Sequence, residues 1–242
     1  MSDTKVILVV GAGDATGGAV ARRFAREGYT ACVARRNADK LAPLVAAIEA
    51  DGGSAVPFGC DARQEDQVVE MVARIEKDVG PIEVFVHNIG ANVRFGIKET
   101  TERVYRKVWE MAALTAFLSG RETAQVMEPR GRGTIIFTGA TASMRGASGF
   151  SAFAGAKHAK RALAQSMARE LGPKGIHVAH AVIDGAIDTA WIRENFADMV
   201  AGAPEGGILN PNHIADAYWW LHTQPRSAWT HELDLRPSVE SW

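Results

Sequence analysis

The sequence predicts a doubly wound α/β domain, a parallel sheet of about seven strands with helices on both faces. Three observations carry that expectation. Short apolar runs of strand length alternate with longer runs of helical period along the chain. The order begins strand, glycine-rich turn, helix, and strands separated by helical segments imply right-handed crossovers between parallel neighbours. No repeat, low-complexity stretch or linker divides the 242 residues, so residues 1–242 read as one domain.

Lys5–Val10 is apolar, too short for a helix and bounded by glycine, which makes it a buried strand. Gly11, Gly13, Gly17 and Gly18 follow, then a helical pattern with Val20 and Phe24 on one side. Thr16 stands where a cap for that helix is expected. Thr30–Arg35 is a second strand, Ala38–Ala50 a helix closed by Asp51-Gly52-Gly53, and Ser54–Phe58 a third strand. Gln64–Val79 places Val68, Met71, Val72, Ile75 and Val79 on one helical face, and Gly80-Pro81 stops it. Ile82–His87 is the fourth strand, Glu102–Met127 a long helix and Thr134–Thr138 the fifth strand. A glycine-rich loop to Gly149 leads into a helix that runs to Leu171. Ile176–Ile183 is the sixth strand, Asp188–Val200 helical, Asn210–Thr223 the last helix and Ala228–Leu235 the last strand.

Composition sets the class. Hydrophobic residues make up 47% of the chain and charged residues 23%, and the formal net charge is −1, so nothing drives it towards nucleic acid or an acidic membrane surface. Arg22-Arg23-Arg26 and Lys157-Lys160-Arg161 read as helix faces rather than a nucleic-acid stripe. No run of apolar residues is long enough to cross a membrane, and the N-terminus lacks a signal-peptide layout. Cys32 and Cys60 fit neither a disulfide framework nor a zinc pattern, so buried free thiols, no metal and a reducing cytoplasm are expected.

The first turn indicates the chemistry. Glycines let the backbone approach a ligand closely, and the helix start offers unpaired N–H groups and the positive end of its dipole. Gly11, Gly13, Asp14, Ala15, Thr16 and Gly17 are therefore expected to cradle the phosphates of a dinucleotide. The end of the second strand meets the adenosine ribose in such sites. Here it carries Arg35 and Arg36, eighteen and nineteen residues after Gly17, with no acid beside them. Arginine there suits a 2′-phosphate, which favours NADP(H) over NAD(H).

At this point the chain resembles the short-chain dehydrogenase/reductase family over essentially its whole length, which implies a single Rossmann-type domain. The family's first turn, T-G-x-x-x-G-x-G, is present as VGAGDATG, with Gly11 and Gly17 kept, Val10 for the threonine and Ala15 for the middle glycine. Its adenine-contacting aspartate matches Asp61, with Ala62 next, in GCDAR. Its N-N-A-G is HNIG, keeping Asn88 and Gly90. Its P-G-x-x-x-T is DGAIDT, keeping Gly185 and Thr189 but with Asp184 for the proline. The resemblance assigns all of these to the cofactor.

The catalytic positions depart from the family. Its tetrad is Asn, Ser, Tyr and Lys. In FAGAK the tyrosine position is Phe153 and the lysine is Lys157. Ala140, thirteen residues before Phe153, stands at the serine position, with Thr141 and Ser143 close by, and Ala112 stands at the asparagine position. In the family the lysine also holds the nicotinamide ribose. Phenylalanine can neither give nor take a proton, so ordinary ketone reduction should be impaired by roughly 10²–10⁴. Three readings follow. One is an oxidoreductase whose acceptor, an iminium or activated alkene, needs no tyrosine acid, or whose proton comes from Asp184, His87, Thr141 or Ser143, all expected at the crevice. Another is a catalytically silent NADP(H) sensor or partner subunit. The last is a lyase or isomerase. His158 is rotated away from Lys157 on the helix and is set aside.

Substrate choice is expected in 187–209, a lid holding Trp191, Ile192, Phe196 and Met199 before a glycine-rich stretch. The C-terminal end is aromatic, with Tyr218, Trp219, Trp220, Trp229 and Trp242. Adjacent Trp219 and Trp220 cannot face one core, so one is expected to cover an intersubunit surface. The resemblance implies a homodimer or homotetramer. The substrate itself, a small organic molecule, is left open.

Overall fold

The computed structural model describes residues 4–240; Trp242 lies outside them. Its strands are β1 Lys5–Val10, β2 Tyr29–Arg35, β3 Ser54–Gly59, β4 Ile82–His87, β5 Gly133–Thr138, β6 Ile176–Ile183 and β7 Glu232–Leu235. They form one seven-stranded sheet in the order β3-β2-β1-β4-β5-β6-β7, with every neighbouring pair parallel. A parallel sheet needs cover on both faces. Along β1, Val6, Leu8 and Val10 enter one core while Ile7 and Val9 enter the other. Burying side chains of this size contributes roughly 1.5–3 kcal/mol each.

On one face lie α3 Glu65–Arg74, α5 Thr115–Met127 and α6 Ser151–Leu171, through Met71, Met127 and Met167. The other face is covered by α1 Thr16–Arg26, α2 Ala42–Ala50 and α9 Pro211–Thr223, through Phe24, Ile48 and Tyr218. The helix expected over Glu102–Met127 is α4 Glu102–Trp109 joined to α5 by a π turn at Glu110–Leu114. Two short helices, α7 Ala190–Asn195 and α8 Ala197–Gly202, replace the single helix expected there. The last strand is shorter than expected, because Arg226–Ala228 forms a 3₁₀ turn.

Thr16 does not cap α1. It is the first helical residue, after Ala15. The arginines of α1 do face outward, Arg22 and Arg26 pairing with Asp51 and Arg23 with Asp216. In the second basic cluster Lys157 and Lys160 are buried, 4% and 0% exposed, while Arg161 pairs with Glu232. Both cysteines are buried free thiols, which burial pushes up to about 12 for Cys32 and about 11 for Cys60. Trp219 packs edge-on against Phe24 at 5.1 Å, while Trp220 is exposed. No described helix is long and apolar enough to cross a membrane.

Candidate active site

Two cavities open along the C-terminal ends of the central strands and share Gly11, Gly13, Asp14, Asn88 and Gly90. Together they form a continuous trough about the glycine turn. At Gly11, φ is +92°, and a Cβ would come within 2.9 Å of the Asn88 carbonyl carbon. A Cβ on Gly17 would stand 2.5 Å from the Gly11 carbonyl oxygen. The absence of side chains at these two positions is what lets the turn close tightly. Asn88 strengthens it by donating from Nδ2 to the Gly11 carbonyl at 3.2 Å. Thr16 Oγ1, buried beside the trough, has no hydrogen-bond partner among the described residues.

The first cavity, about 550 Å³, is basic. Arg35, Arg36 and Lys40 line it, with Asp61, Ala62 and Arg63 on the far side. Arg63 donates to both Asp61 carboxylate oxygens, and this guanidinium holds the Asp61 carboxyl below its usual range. Lys40 carried no sequence signal, because only the 3₁₀ turn Ala38–Leu41 brings it back towards the arginines.

The second cavity, about 590 Å³, contains three of the residues read as catalytic, Ala140, Phe153 and Lys157, but neither Ala112 nor Asp184. Thr16, Gly17, Ala140, Thr141, Phe153, Lys157 and Gly185 line it, as do Asn92, Arg145 and Phe150, which sequence reasoning missed. Phe153 and Lys157 share a face of α6 one turn apart, with the Lys157 Nζ 5.6 Å from the Phe153 ring centre. Lys157 donates to the Thr138 carbonyl at 3.0 Å and the Gly139 carbonyl at 3.4 Å. Behind it, Lys160 donates to Ile89 at 2.8 Å and to the same Thr138 carbonyl at 3.4 Å. Burial pushes the Lys157 amine down to about 8. Lys160 falls well below the usual lysine range, through burial first and then the neighbouring Lys157 charge. A lysine three residues after another on a helix gave no sign of this; the packing of α6 on β5 created it.

Other candidates are placed differently. Ala112 is wholly buried inside the π turn, in the apolar cluster that includes Phe153. His87 is fully buried, its Nε2 2.9 Å from Thr115 Oγ1, and Ser143 Oγ accepts from the Ala140 amide at 3.1 Å. Neither His87 nor Ser143 reaches the cavity wall, contrary to expectation, because each side chain points back into the packed layer. Asp184 is 1% exposed; it accepts from the Thr141 hydroxyl and pairs with Arg145 and Arg236. Thr189 lies off both cavities and caps α7, accepting from the Ile192 amide at 3.0 Å. His158 bonds the Ala154 carbonyl one turn back. Of the lid, Ile187 reaches the wall, while Trp191, Phe196 and Met199 are exposed.

The chain's three tyrosines are all accounted for elsewhere. Tyr29 is bonded to His222, Tyr218 to Thr138, and Tyr105 is half-exposed on α4; none lines either cavity.

A model of the short chain dehydrogenase family matches residues 5–200. A 3beta-hydroxysteroid dehydrogenase of Mediterraneibacter gnavus is 32% identical over 201 residues, covering 81% of this chain and 71% of its own. The crystal structure of a short-chain dehydrogenase from Rhodopseudomonas palustris is 50% identical, spans 96% of this chain and 98% of that one, and superposes with a TM-score of 0.83. A short-chain type dehydrogenase/reductase from Mycobacterium marinum, 26% identical, spans 98% of this chain and 95% of its own with a TM-score of 0.85. Sheet order, glycine turn and sequence likeness agree: the chain belongs to the short-chain dehydrogenase family.

Proposed function

We propose that the protein is an NADP(H)-dependent oxidoreductase that exchanges hydride with a small organic substrate without the tyrosine acid of its family. The observation that carries this reading is the joined pair of cavities. One is rimmed by Arg35, Arg36 and Lys40, and the other holds Lys157 beside the Phe153 ring. The residues present fit a dinucleotide. Gly11 and Gly17 have room only for backbone, and Thr16 Oγ1 is a buried hydroxyl in need of a partner. Asp61 and Ala62 stand by the adenosine end, and the three cations Arg35, Arg36 and Lys40 favour a 2′-phosphate.

A bound nicotinamide supplies or accepts the hydride. What the chain supplies is position and proton control. Lys157, anchored on two carbonyls, holds the ribose side of the site, and burial pushes its amine down to about 8. Its proton is the available one for a nascent anion, because Phe153 has none. Phe153 and Phe150 exclude water and suit a cationic or polarised acceptor. Asp184 is tied into ion pairs and serves as an anchor.

An NADPH fluorescence titration against NADH, followed by consumption at 340 nm on ketone, imine and enone panels, tests the reading. The expected result is tighter NADPH binding with turnover on imines or enones ahead of ketones. Tight binding with no turnover on any panel replaces it with a sensor. We further propose a homodimer through the exposed Tyr105, Trp109 and Phe117 of the α4–α5 arm. Light scattering at the mass of one chain contradicts that.

A further inference from the structure

Arg145 is held more loosely than Arg161 and Arg130. Arg161 and Arg130 grip their carboxylates at 2.7 Å, in the two-pronged manner that saturates a guanidinium. Arg145 touches Asp184 Oδ2 at 3.4 Å and has no other ionic partner among the described residues. Its side chain is 38% exposed and lies on the wall of the larger cavity.

Asp184 is built to steer that arginine. Its carboxylate is 1% exposed and fixed from behind, with the Thr141 hydroxyl donating to Oδ1 and Arg236 at 3.3 Å from Oδ2. Arg236 is in turn held by Asp234. A guanidinium has five N–H donors in a rigid fork. One long contact fixes the direction of Arg145 and leaves the rest of the fork for something in the cavity. Phe150, Phe153, Ile183 and Ile187 give this wall apolar and aromatic surface, Lys157 is the second cation, and Asn88, Asn92, Thr138 and Thr141 add neutral polar groups. Asp14, the one acid on this wall, belongs to the glycine turn. A half-satisfied guanidinium beside the Phe150 and Phe153 rings selects a flat monoanion on an apolar body, because a carboxylate takes two parallel N–H bonds from one arginine. A dianion would need more positive charge than one arginine backed by Asp184 provides.

We propose that Arg145, oriented by Asp184, binds the carboxylate of an aromatic or otherwise apolar acid substrate in this cavity. The inference rests on the reading of that cavity as the substrate site and adds the substrate's class.

Cinnamate and cinnamamide share a shape and differ in charge, so they serve as probes. Calorimetric titration of each into NADPH-loaded protein, wild type and Arg145→Gln, is expected to show cinnamate binding about tenfold or more tighter than cinnamamide in wild type. Arg145→Gln should erase that preference while leaving NADPH affinity unchanged. Arg145→Lys, which keeps the charge but not the fork, should fall between. Thermal unfolding of each variant verifies that the fold is kept. Equal affinities in wild type, binding of neither probe, or a preference that survives Arg145→Gln overturns the proposal. The same comparison without NADPH separates the two readings. Acid preference in a protein that does not bind NADPH would sink the cofactor assignment and uphold the anion site.

Discussion

In the function proposed above, Phe153 is the residue on which the chemistry turns. It occupies the cavity wall one helical turn from Lys157, and no tyrosine reaches that wall. Restoring a hydroxyl there, Phe153→Tyr with Ala140→Ser, is expected to raise reduction of simple ketones by about 10²-fold or more, since both positions line the cavity and Lys157 is in place. Initial rates with NADPH provide the check, and a folded, cofactor-binding double variant with no gain would contradict the role given to Phe153. The third family position, Ala112, is a poor target. It is wholly buried in an apolar cluster, where an asparagine amide would lack partners. Gly17→Ala makes a second prediction. Its Cβ would press on the Gly11 carbonyl, so NADPH affinity should drop at least tenfold in a fluorescence titration. Phe153, Lys157 and the glycines were legible in sequence because each sits in a local pattern. Asn92, Arg145 and Lys40 were not, since the direction of a loop side chain is decided by elements far away in the chain.

At the scale of elements, periodicity located every strand and most helices, because burial on two faces of a sheet leaves a regular trace. It failed where geometry departs from regularity. The π turn at Glu110–Leu114 keeps a helical composition and is invisible to a 3.6-residue pattern. Thr16 looked like a cap and proved to be the first helical residue. Asp188–Val200 looked like one helix, yet Phe196 breaks it into two, and its apolar side chains lie outward. With so little buried area, α7 and α8 should open locally at low free energy. Limited proteolysis is therefore expected to cut first within residues 190–207, and more slowly once NADPH and a cavity ligand are bound. Equal cutting rates with and without ligand would argue against this stretch as a lid.

The whole molecule stores its pH sensitivity in buried imidazoles. Burial pushes His180 and His222 down to about 4, and His87 well below the usual histidine range. Glu232 lies 3.0 Å from His180 Nδ1 but does not outweigh burial, so at pH 7 the neutral His180 ring donates from Nδ1 to the Glu232 carboxylate. Folded, these rings stay neutral down to about pH 4; unfolded, they take up a proton near the ordinary value of about 6.5. Between those limits the unfolded chain binds more protons, so stability falls as the pH drops. For His180 alone the loss is about 3 kcal/mol. Melting temperatures should decline steadily from about pH 7 to about pH 4.5, and His180→Gln should flatten part of that slope. A melting temperature constant across the window would refute it. None of this was readable in advance: seven histidines in 242 residues look ordinary until the sheet encloses them.

Where the chain leaves β6 for its two short helices and where it comes back, Ile187 and Leu209 sit side by side in a parallel bridge, closed by the Asp188 amide on the Leu209 carbonyl at 2.9 Å. Exit and re-entry are thus adjacent, and the length between them is nearly decoupled from the sheet, as doubling such an excursion adds only about 0.6 kcal/mol of closure entropy. The stretch behaves as a cassette. It is expected to tolerate lengthening or shortening with the sheet and the glycine turn left as they are.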